Sequence, residues 1–196
     1  MKEKEAKTKF QPLQVTRSPV ACSPQKNLTG SIRIARDIAA DLYNTIQRWN
    51  TLHISGAQFV KMIAVEKAVD PKKYSPALEE LTTNLYEVVQ NLKSIEGQFR
   101  IFKTQIRALE KVDKNSETLF LSLNMDGIAN LIETIVDAYL EEFKVKELVL
   151  ENIAHSRTKD EVMFFAACWT LQAHISSGIN LKLETLLLDT GHRKVS

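Results

Sequence analysis

The side chains that most often perform chemistry are sparse and scattered in this sequence. Its four histidines lie far apart, so no two can ligate one metal ion from a single helical turn. They are His53, His155, His174 and His192. The sequence also lacks the G-x-S-x-G elbow of hydrolases and the G-x-x-x-x-G-K-[ST] loop that holds nucleotide phosphates. We therefore expect no catalytic residues, no metal site and no cofactor.

The cysteines and the chain start favour a protein of the nucleus or cytosol. Cys22 lies in a polar stretch and Cys168 in an apolar run, which gives no disulfide framework. The sequence opens with charged residues instead of an apolar signal segment, and no stretch reaches the roughly 20 apolar residues of a membrane span. We expect no membrane segment and no secretion.

Charge patterning suggests one candidate binding surface, a basic stripe at helical spacing. It consists of Arg100, Lys103, Arg107 and Lys111. It could dock an acidic partner or a phosphate backbone, or it could be the solubilising charge of an ordinary helix face. The formal net charge is only +2, which argues against direct nucleic-acid binding because dedicated binders carry a strong basic excess.

The N-terminal segment combines basic charge with two Ser-Pro steps. Residues 1–28 carry six basic and two acidic side chains and few large apolar groups, so we predict a disordered tail. Ser18 and Ser23 each precede a proline, and Lys26 follows the second step. Proline-directed kinases read this pattern. We predict that both serines are phosphorylation sites.

The strongest pattern in the chain is an apolar seam whose residues alternate at spacings of three and four. The seam consists of Leu78, Leu81, Leu85, Val88, Leu92, Ile95, Phe99, Phe102, Ile106 and Leu109. The mean period of 3.5 keeps one side of a helix facing a partner helix, whereas a strand requires a period of two. The sequence predicts a helix at about 76–111 whose partner lies in this chain or in another.

A second stripe, starting at Ile32, offers that partner within the chain. Its phase survives through His53 and Gly56, which favours one helix at about 31–69 with a weak waist over two shorter helices. A short connection with Pro76 just beyond it would fold the two helices back on each other. We predict an antiparallel hairpin of about equal arms, with Trp49 and Trp169 in the core rather than at a partner surface.

Three further helices are predicted at about 125–154, 159–175 and 180–190. Thr158 and Glu161 form a capping-box pattern at the second of them. The run from Val162 to Leu171 is apolar almost all round, which predicts burial on several sides, against the hairpin or against another subunit. The fold class is all-α: residues 29–196 form a single elongated bundle in which the C-terminal helices pack on the hairpin.

The C-terminal segment is the candidate partner-binding element. Its leucines spread over more than one narrow stripe, and so short a helix is marginal without a surface to lie on. The turn that follows offers donors and positive charge to an acidic groove. The candidate residues are Leu183, Leu187, Leu188, Thr190, Gly191, His192 and Arg193. The alternative is a closing helix that only caps the core.

Several of these residues occur together in a known pattern. The most specific part of the pattern is the C-terminal run Leu181-x-Leu183-Glu184-Thr185-x-Leu187-Leu188-Asp189-Thr190-Gly191-His192-Arg193. The pattern also includes Trp169 and Ala154-His155. In the first helix it includes Ala39-Ala40-Asp41, Asn44, Trp49, Thr51 and Leu52. Over most of residues 33–193 the chain resembles the cyclin-dependent kinase 2-interacting protein family.

The resemblance implies a non-catalytic nuclear adaptor, also present in the cytoplasm, that links replication kinases with checkpoint signalling. It further implies a subunit of a heteromeric AAA ATPase chaperone complex acting in replication and ribosome biogenesis. The implied partners are AAA ATPase subunits, a further small adaptor, a cyclin-dependent kinase and checkpoint proteins. The residues by themselves leave an alternative open: a homodimeric coiled-coil tether without an ATPase partner.

Overall fold

The described part of the chain is built of α-helices and one short 3₁₀ turn, without strands, which confirms the all-α prediction. The computed structural model describes residues 30–113 and 117–193. Its elements are α1 (Ser31–Val69), α2 (Pro76–Val112), α3 (Met125–Asn152), a 3₁₀ turn (Ile153–His155), α4 (Lys159–Leu171) and α5 (Ser177–Asp189). The predicted tail, with Ser18 and Ser23, lies outside the described residues.

The two longest helices form the predicted hairpin. α1 runs for 39 residues without a break at the expected waist, and α2 runs for 37. Ser75 caps α2, since its hydroxyl oxygen accepts from the Leu78 amide at 3.1 Å, and Pro76 occupies the first turn. The same hydroxyl donates to Glu66 Oε1 at 2.7 Å, which ties the turn to the end of α1.

The seam of α2 is buried by helices of the same chain. Seven seam residues are buried and three are partly buried. α2 packs against α1 on one side and against α3 on the other, so it lies between the two. The partner that the seam requires is therefore intramolecular.

An aromatic cluster joins the three long helices at mid-length. The ring centroids of Trp49 on α1 and Tyr139 on α3 lie 5.4 Å apart in an edge-to-face arrangement. Phe99 on α2 completes the cluster, 6.2 Å from Trp49 and 5.1 Å from Tyr139. Trp49 has no exposed surface, in agreement with its predicted place in the core. Tilted and edge-to-face pairs of this kind favour one defined packing.

The last two helices differ from the prediction in their bounds. α4 ends at Leu171 instead of near 175, because Gln172 adopts a left-handed conformation (φ 44°, ψ 61°) and the Ile175 amide closes a turn on its carbonyl. α5 begins at Ser177 instead of near 180, because the Ser176 carbonyl already accepts from the amides of Ile179 and Asn180. The predicted capping box of Thr158 and Glu161 is present.

The prediction that α4 is buried on several sides is wrong within this chain. α4 packs against α1 and α3, yet only Val162 and Trp169 on it are fully buried. The helix is short and meets the bundle with one side, so its opposite side stays exposed. Among the described helices, none is both long and apolar enough to span a membrane.

Candidate protein-interaction site

The helix α5 contains part of the predicted binding element, and it packs on the bundle as a closing helix. It lies against α3 and the N-terminal half of α1. Leu183, Leu186 and Leu187 are buried, with 6%, 0% and 2% of their surface exposed. Leu188 is half-buried and Leu181 is 68% exposed. Leu183 and Leu187 thus stabilise the fold and do not present a surface to a partner.

A buried aspartate fixes the end of α5. Asp189 Oδ1 accepts from the Ser122 amide at 2.8 Å, the Ser122 hydroxyl at 2.7 Å and the Leu123 amide at 3.3 Å. These bonds tie α5 to the connection that precedes α3. Sequence reasoning missed this role, although an acidic residue in the last turn opposes the helix dipole and so signals specific donors. Thr190 is also buried and donates to the Leu186 carbonyl at 2.7 Å.

The chain turns back after Thr190 and leaves an exposed end. Gly191 ends the helix with φ 73°, the left-handed conformation expected at this position. The amides of His192 and Arg193 then donate to the Leu187 carbonyl at 2.9 and 3.1 Å. Gly191, His192 and Arg193 are all exposed.

The exposed end lies on α1. His192 Nε2 donates to the Arg36 carbonyl at 2.9 Å. Arg193 forms an ion pair with Glu184 at 2.6 Å and lies 5.7 Å from the Tyr43 ring centroid. Of the predicted binding residues, the structure therefore brings Gly191, His192 and Arg193 together on the surface and places Leu183, Leu187 and Thr190 beneath them.

A buried ion pair on α3 holds α4 and the turn that follows it. Glu142 and Lys146 on α3 have no exposed surface, and their charged atoms lie 2.8 Å apart. Lys146 Nζ donates to the Trp169 carbonyl at 2.6 Å, where its charge also suits the negative end of α4. Burial lowers the pKa of Lys146, and Glu142 opposes that shift. Glu142 also accepts from the His174 amide at 3.2 Å.

Trp169 of α4 packs against α1 at Gly56, where the sequence predicted a weak waist in the helix. A Cβ atom at Gly56 would overlap the indole ring, so only glycine lets α4 approach this closely. The indole Nε1 of Trp169 donates to the His53 carbonyl at 3.1 Å. The indole ring also stacks on the His53 imidazole ring, with centroids 6.4 Å apart. Burial lowers the pKa of His53 to about 4, and the charge of Lys146 adds to the decrease.

The basic stripe on α2 is largely neutralised by acidic side chains. Lys103 lies 3.0 Å from Glu133 and 2.7 Å from Asp137, and Arg107 pairs with Glu133 and with Glu110. These contacts raise the pKa of Lys103 and lower that of Glu133. Much of the positive charge of the stripe is therefore engaged in ion pairs that join α2 to α3. This favours the structural interpretation over phosphate binding.

At least two apolar surfaces remain exposed on the described residues. The sequence predicted that the apolar run of α4 would be covered by the hairpin or by another subunit, and it did not identify the second surface. One is the outer side of α4. The other is an open groove of about 700 Å³ between α1 and α2, whose apolar lining is Phe59, Met62, Val65, Ala77 and Leu81. The sequence did indicate exposed apolar surface, since these helices carry more apolar residues than one core-facing stripe requires. Among the described residues, no His, Cys, Asp and Glu side chains cluster to hold a metal ion.

The fold defines the chain as an all-α helical bundle protein. No protein-family model matches the chain. It is similar to the cyclin-dependent kinase 2-interacting protein of Xenopus laevis, with 23% identity over 205 residues, 92% of this chain and 99% of the relative. The proteins of that name from Bos taurus and Homo sapiens are 25% identical over 195 residues, 85% of this chain and 92% of each relative. The predicted resemblance to this family is confirmed.

Replacing Gly56 with alanine should displace Trp169 and loosen α4. Overpacking of this kind costs about 1–3 kcal/mol of unfolding free energy, measurable by urea denaturation. The matched control is Gly97→Ala on α2, where an added Cβ meets no atom within 4 Å. The control should stabilise the protein by up to about 1 kcal/mol. Equal effects of the two substitutions would contradict the seating of Trp169 on Gly56.

Acid should destabilise the protein through His53. Its pKa is about 4 in the fold against 6.5 ordinarily, so the unfolded chain binds more protons between those pH values. The unfolding free energy therefore falls as the pH is lowered from about 6.5 toward 4. Chemical denaturation at several pH values should show a flatter profile for His53→Gln. Parallel profiles for the two proteins would refute this role.

Proposed function

We propose that this chain is a non-catalytic adaptor that brings protein partners together. The observation that carries the proposal is the whole-length similarity, 92% of this chain and 99% of the Xenopus laevis relative, to proteins named for their interaction with cyclin-dependent kinase 2. The apolar surfaces left exposed on α4 and on the hairpin support it, because such patches commonly mark protein contacts.

The family resemblance suggests a finer role. In this finer role the chain is a subunit of a AAA ATPase chaperone complex that acts in replication and ribosome biogenesis. The subunit is nuclear and also cytoplasmic. Its partners are then the ATPase subunits, a further small adaptor, a cyclin-dependent kinase and checkpoint proteins. The intramolecular seam of α2 weighs against the alternative of a coiled-coil tether, since the tether would need that seam for a second chain.

Within this role, the C-terminal end is the proposed contact for a partner. Gly191, His192 and Arg193 lie on the surface next to half-buried Leu188. Arg193 is paired with Glu184, yet 45% of its side chain remains exposed to a partner. Such a turn suits an acidic groove. Leu183, Leu187 and Thr190 contribute by holding the turn in place, since their side chains are covered by the bundle.

Reversing the charge at the exposed end tests this contact. Arg193→Glu should keep the helicity and melting temperature near those of the wild type, because exposed ion pairs contribute about 0–1 kcal/mol. It should no longer co-purify with ATPase subunits. Substitutions at Leu187 would not discriminate, because that side chain is in the core.

Lys182→Glu is the matched control for this experiment. Lys182 is exposed on the same helix, outside the proposed contact, and the substitution changes the net charge equally. The control should retain the complex. The contact is wrong if Arg193→Glu also retains the complex, or if it loses partners only in step with its melting temperature. Absence of ATPase subunits from the wild-type purification would instead contradict the finer role.

We infer that Ser18 and Ser23 regulate the adaptor as proline-directed phosphorylation sites. A phosphate adds nearly two negative charges to a basic segment and so can create or mask a docking site. Incubation with an active cyclin-dependent kinase, followed by peptide mass spectrometry, should show incorporation at Ser23 that Ser23→Ala abolishes. No incorporation at either serine would end this inference.

A further inference from the structure

Three hollows lie in a row between α1 and α2, along one side of the hairpin. The first, between Asp41 and Phe102, is nearest the open end of the hairpin. The second lies at mid-length, between Thr51 and Asn91, and it shares Arg48 with the first. The third is the apolar groove of about 700 Å³ beside the turn. The row therefore leads from the open end, where α1 begins, to the turn at the other end.

The groove beside the turn combines an apolar floor with two carboxylates. Phe59 and Leu81 line it as half-buried side chains. Glu66 of α1 and Glu80 of α2 line it from opposite helices near the turn, whereas Lys61 lines it farther from the turn. A segment that fits this groove should carry large apolar side chains, with positive charge at the end that lies next to the turn.

One stretch of the N-terminal region has this chemistry. It consists of residues 7–15, which lie outside the described part of the chain. Its basic residues, Lys7 and Lys9, come first, and it has no acidic residue. Large apolar residues follow, beginning with Phe10 and Leu13. Positive charge at one end and apolar side chains at the other match the two parts of the groove.

The spacing of the apolar residues fits the length of the groove. Pro12 lies between Phe10 and Leu13, and proline favours the extended polyproline II conformation. Residues three apart in that conformation lie on one side of the chain, about 9 Å from each other. The α1 lining of the groove, from Gln58 to Glu66, is about 12 Å long. The groove can therefore hold both large side chains at once.

The reach of the chain selects the same segment. Met62, in the groove, lies about 48 Å along α1 from Gly30, at 1.5 Å per residue. A fully extended chain spans about 3.3–3.6 Å per residue, so Val20 reaches only about 35 Å from Gly30 and Leu13 reaches nearly 60 Å. Residues 2–9 carry no large apolar side chain. The apolar residues that can reach the groove are therefore those of the segment 7–15.

We propose that residues 7–15 dock on their own chain, in the groove between α1 and α2, and cover its apolar floor. The two lysines lie at the turn, beside Glu66 and Glu80. From there the segment runs antiparallel to α1, toward the open end of the hairpin where Gly30 precedes the first helix. This direction lets the connecting residues follow the row of hollows back to the start of α1.

The covalent connection allows a weak contact to suffice. A short flexible linker gives a tethered segment an effective concentration of about 1 mM at its site. A contact too weak to persist between separate molecules is then formed within one chain. A segment without a fold of its own can order on binding, so this contact is compatible with the predicted tail. It goes beyond the adaptor role, and any partner of the groove would have to displace the segment.

Disulfide trapping in the full chain tests the contact. In a chain carrying Cys22→Ala and Cys168→Ala, Leu13→Cys and Met62→Cys should form a disulfide within one molecule under mild oxidation. The matched control replaces Met62→Cys with Ile54→Cys. Ile54 is 60% exposed on the same helix, nearer to its start and outside the groove. At about 1 µM protein the groove pair should close roughly tenfold faster than the control pair, measured on non-reducing gels and by peptide mass spectrometry.

Charge reversal tests the orientation of the segment. Glu80→Lys should slow the closing of the groove pair, because it places a positive charge beside the lysines of the segment. Adding Lys9→Glu to the same chain should restore the rate. Glu87→Lys is the matched control, since Glu87 is exposed on α2, does not line the groove and changes the net charge equally. It should leave the rate unchanged.

Three results would overturn the proposal. Equal closing rates for the groove pair and the control pair would leave the groove to a different protein. A disulfide between two molecules, in place of one within a molecule, would assign the groove to the segment of a second copy. A closing rate that Glu80→Lys does not change would show that the lysines do not lie at the turn.

Discussion

The burial of α2 between α1 and α3 is the constraint on which the rest of this structure depends. α2 is the only long helix of the described chain that packs along both of the others. Its seam therefore has to be apolar throughout, and the aromatic cluster of Trp49, Phe99 and Tyr139 forms where the three helices meet. With α2 in the middle, α1 and α3 are left with free flanks, on which the two short helices pack.

The short helices are attached by polar contacts as much as by apolar ones. α4 rests on Gly56 through Trp169 and is held from α3 by the buried Lys146, while α5 is held by Asp189 and its three donors. Buried charges cost free energy unless they are paired, so these contacts select one arrangement of the helices over others. These contacts fix the position of the exposed turn from Gly191 to Arg193. They also fix the exposed apolar side of α4, which includes Met163, Phe164 and Leu171.

An adaptor needs surfaces that stay available after folding. Here α4 and α5 each pack on the long helices and leave part of their own surface exposed, and a groove remains open between α1 and α2. The charged groups of the α2 stripe, by contrast, are engaged with Glu133 and Asp137 of α3. The proposed binding surfaces are therefore the apolar faces and the C-terminal turn, whereas the most conspicuous charge pattern of the sequence is engaged within the fold.

The sequence by itself determined the presence of the helices, the hairpin and the caps at Ser75 and Thr158, because periodicity, Ser75-Pro76 and the Thr158-Glu161 pair act over a few neighbouring residues. It did not determine where α4 ends and α5 begins. It also contained the family resemblance. Only the tertiary structure decided that Leu183 and Leu187 face the core while His192 and Arg193 face water, and that Met163, Phe164 and Leu171 remain bare. The pairing of Lys103 with Asp137 and the seating of Trp169 on Gly56 are likewise tertiary. Exposure of one side of a helix depends on which distant helices become its neighbours, and no local spacing encodes that.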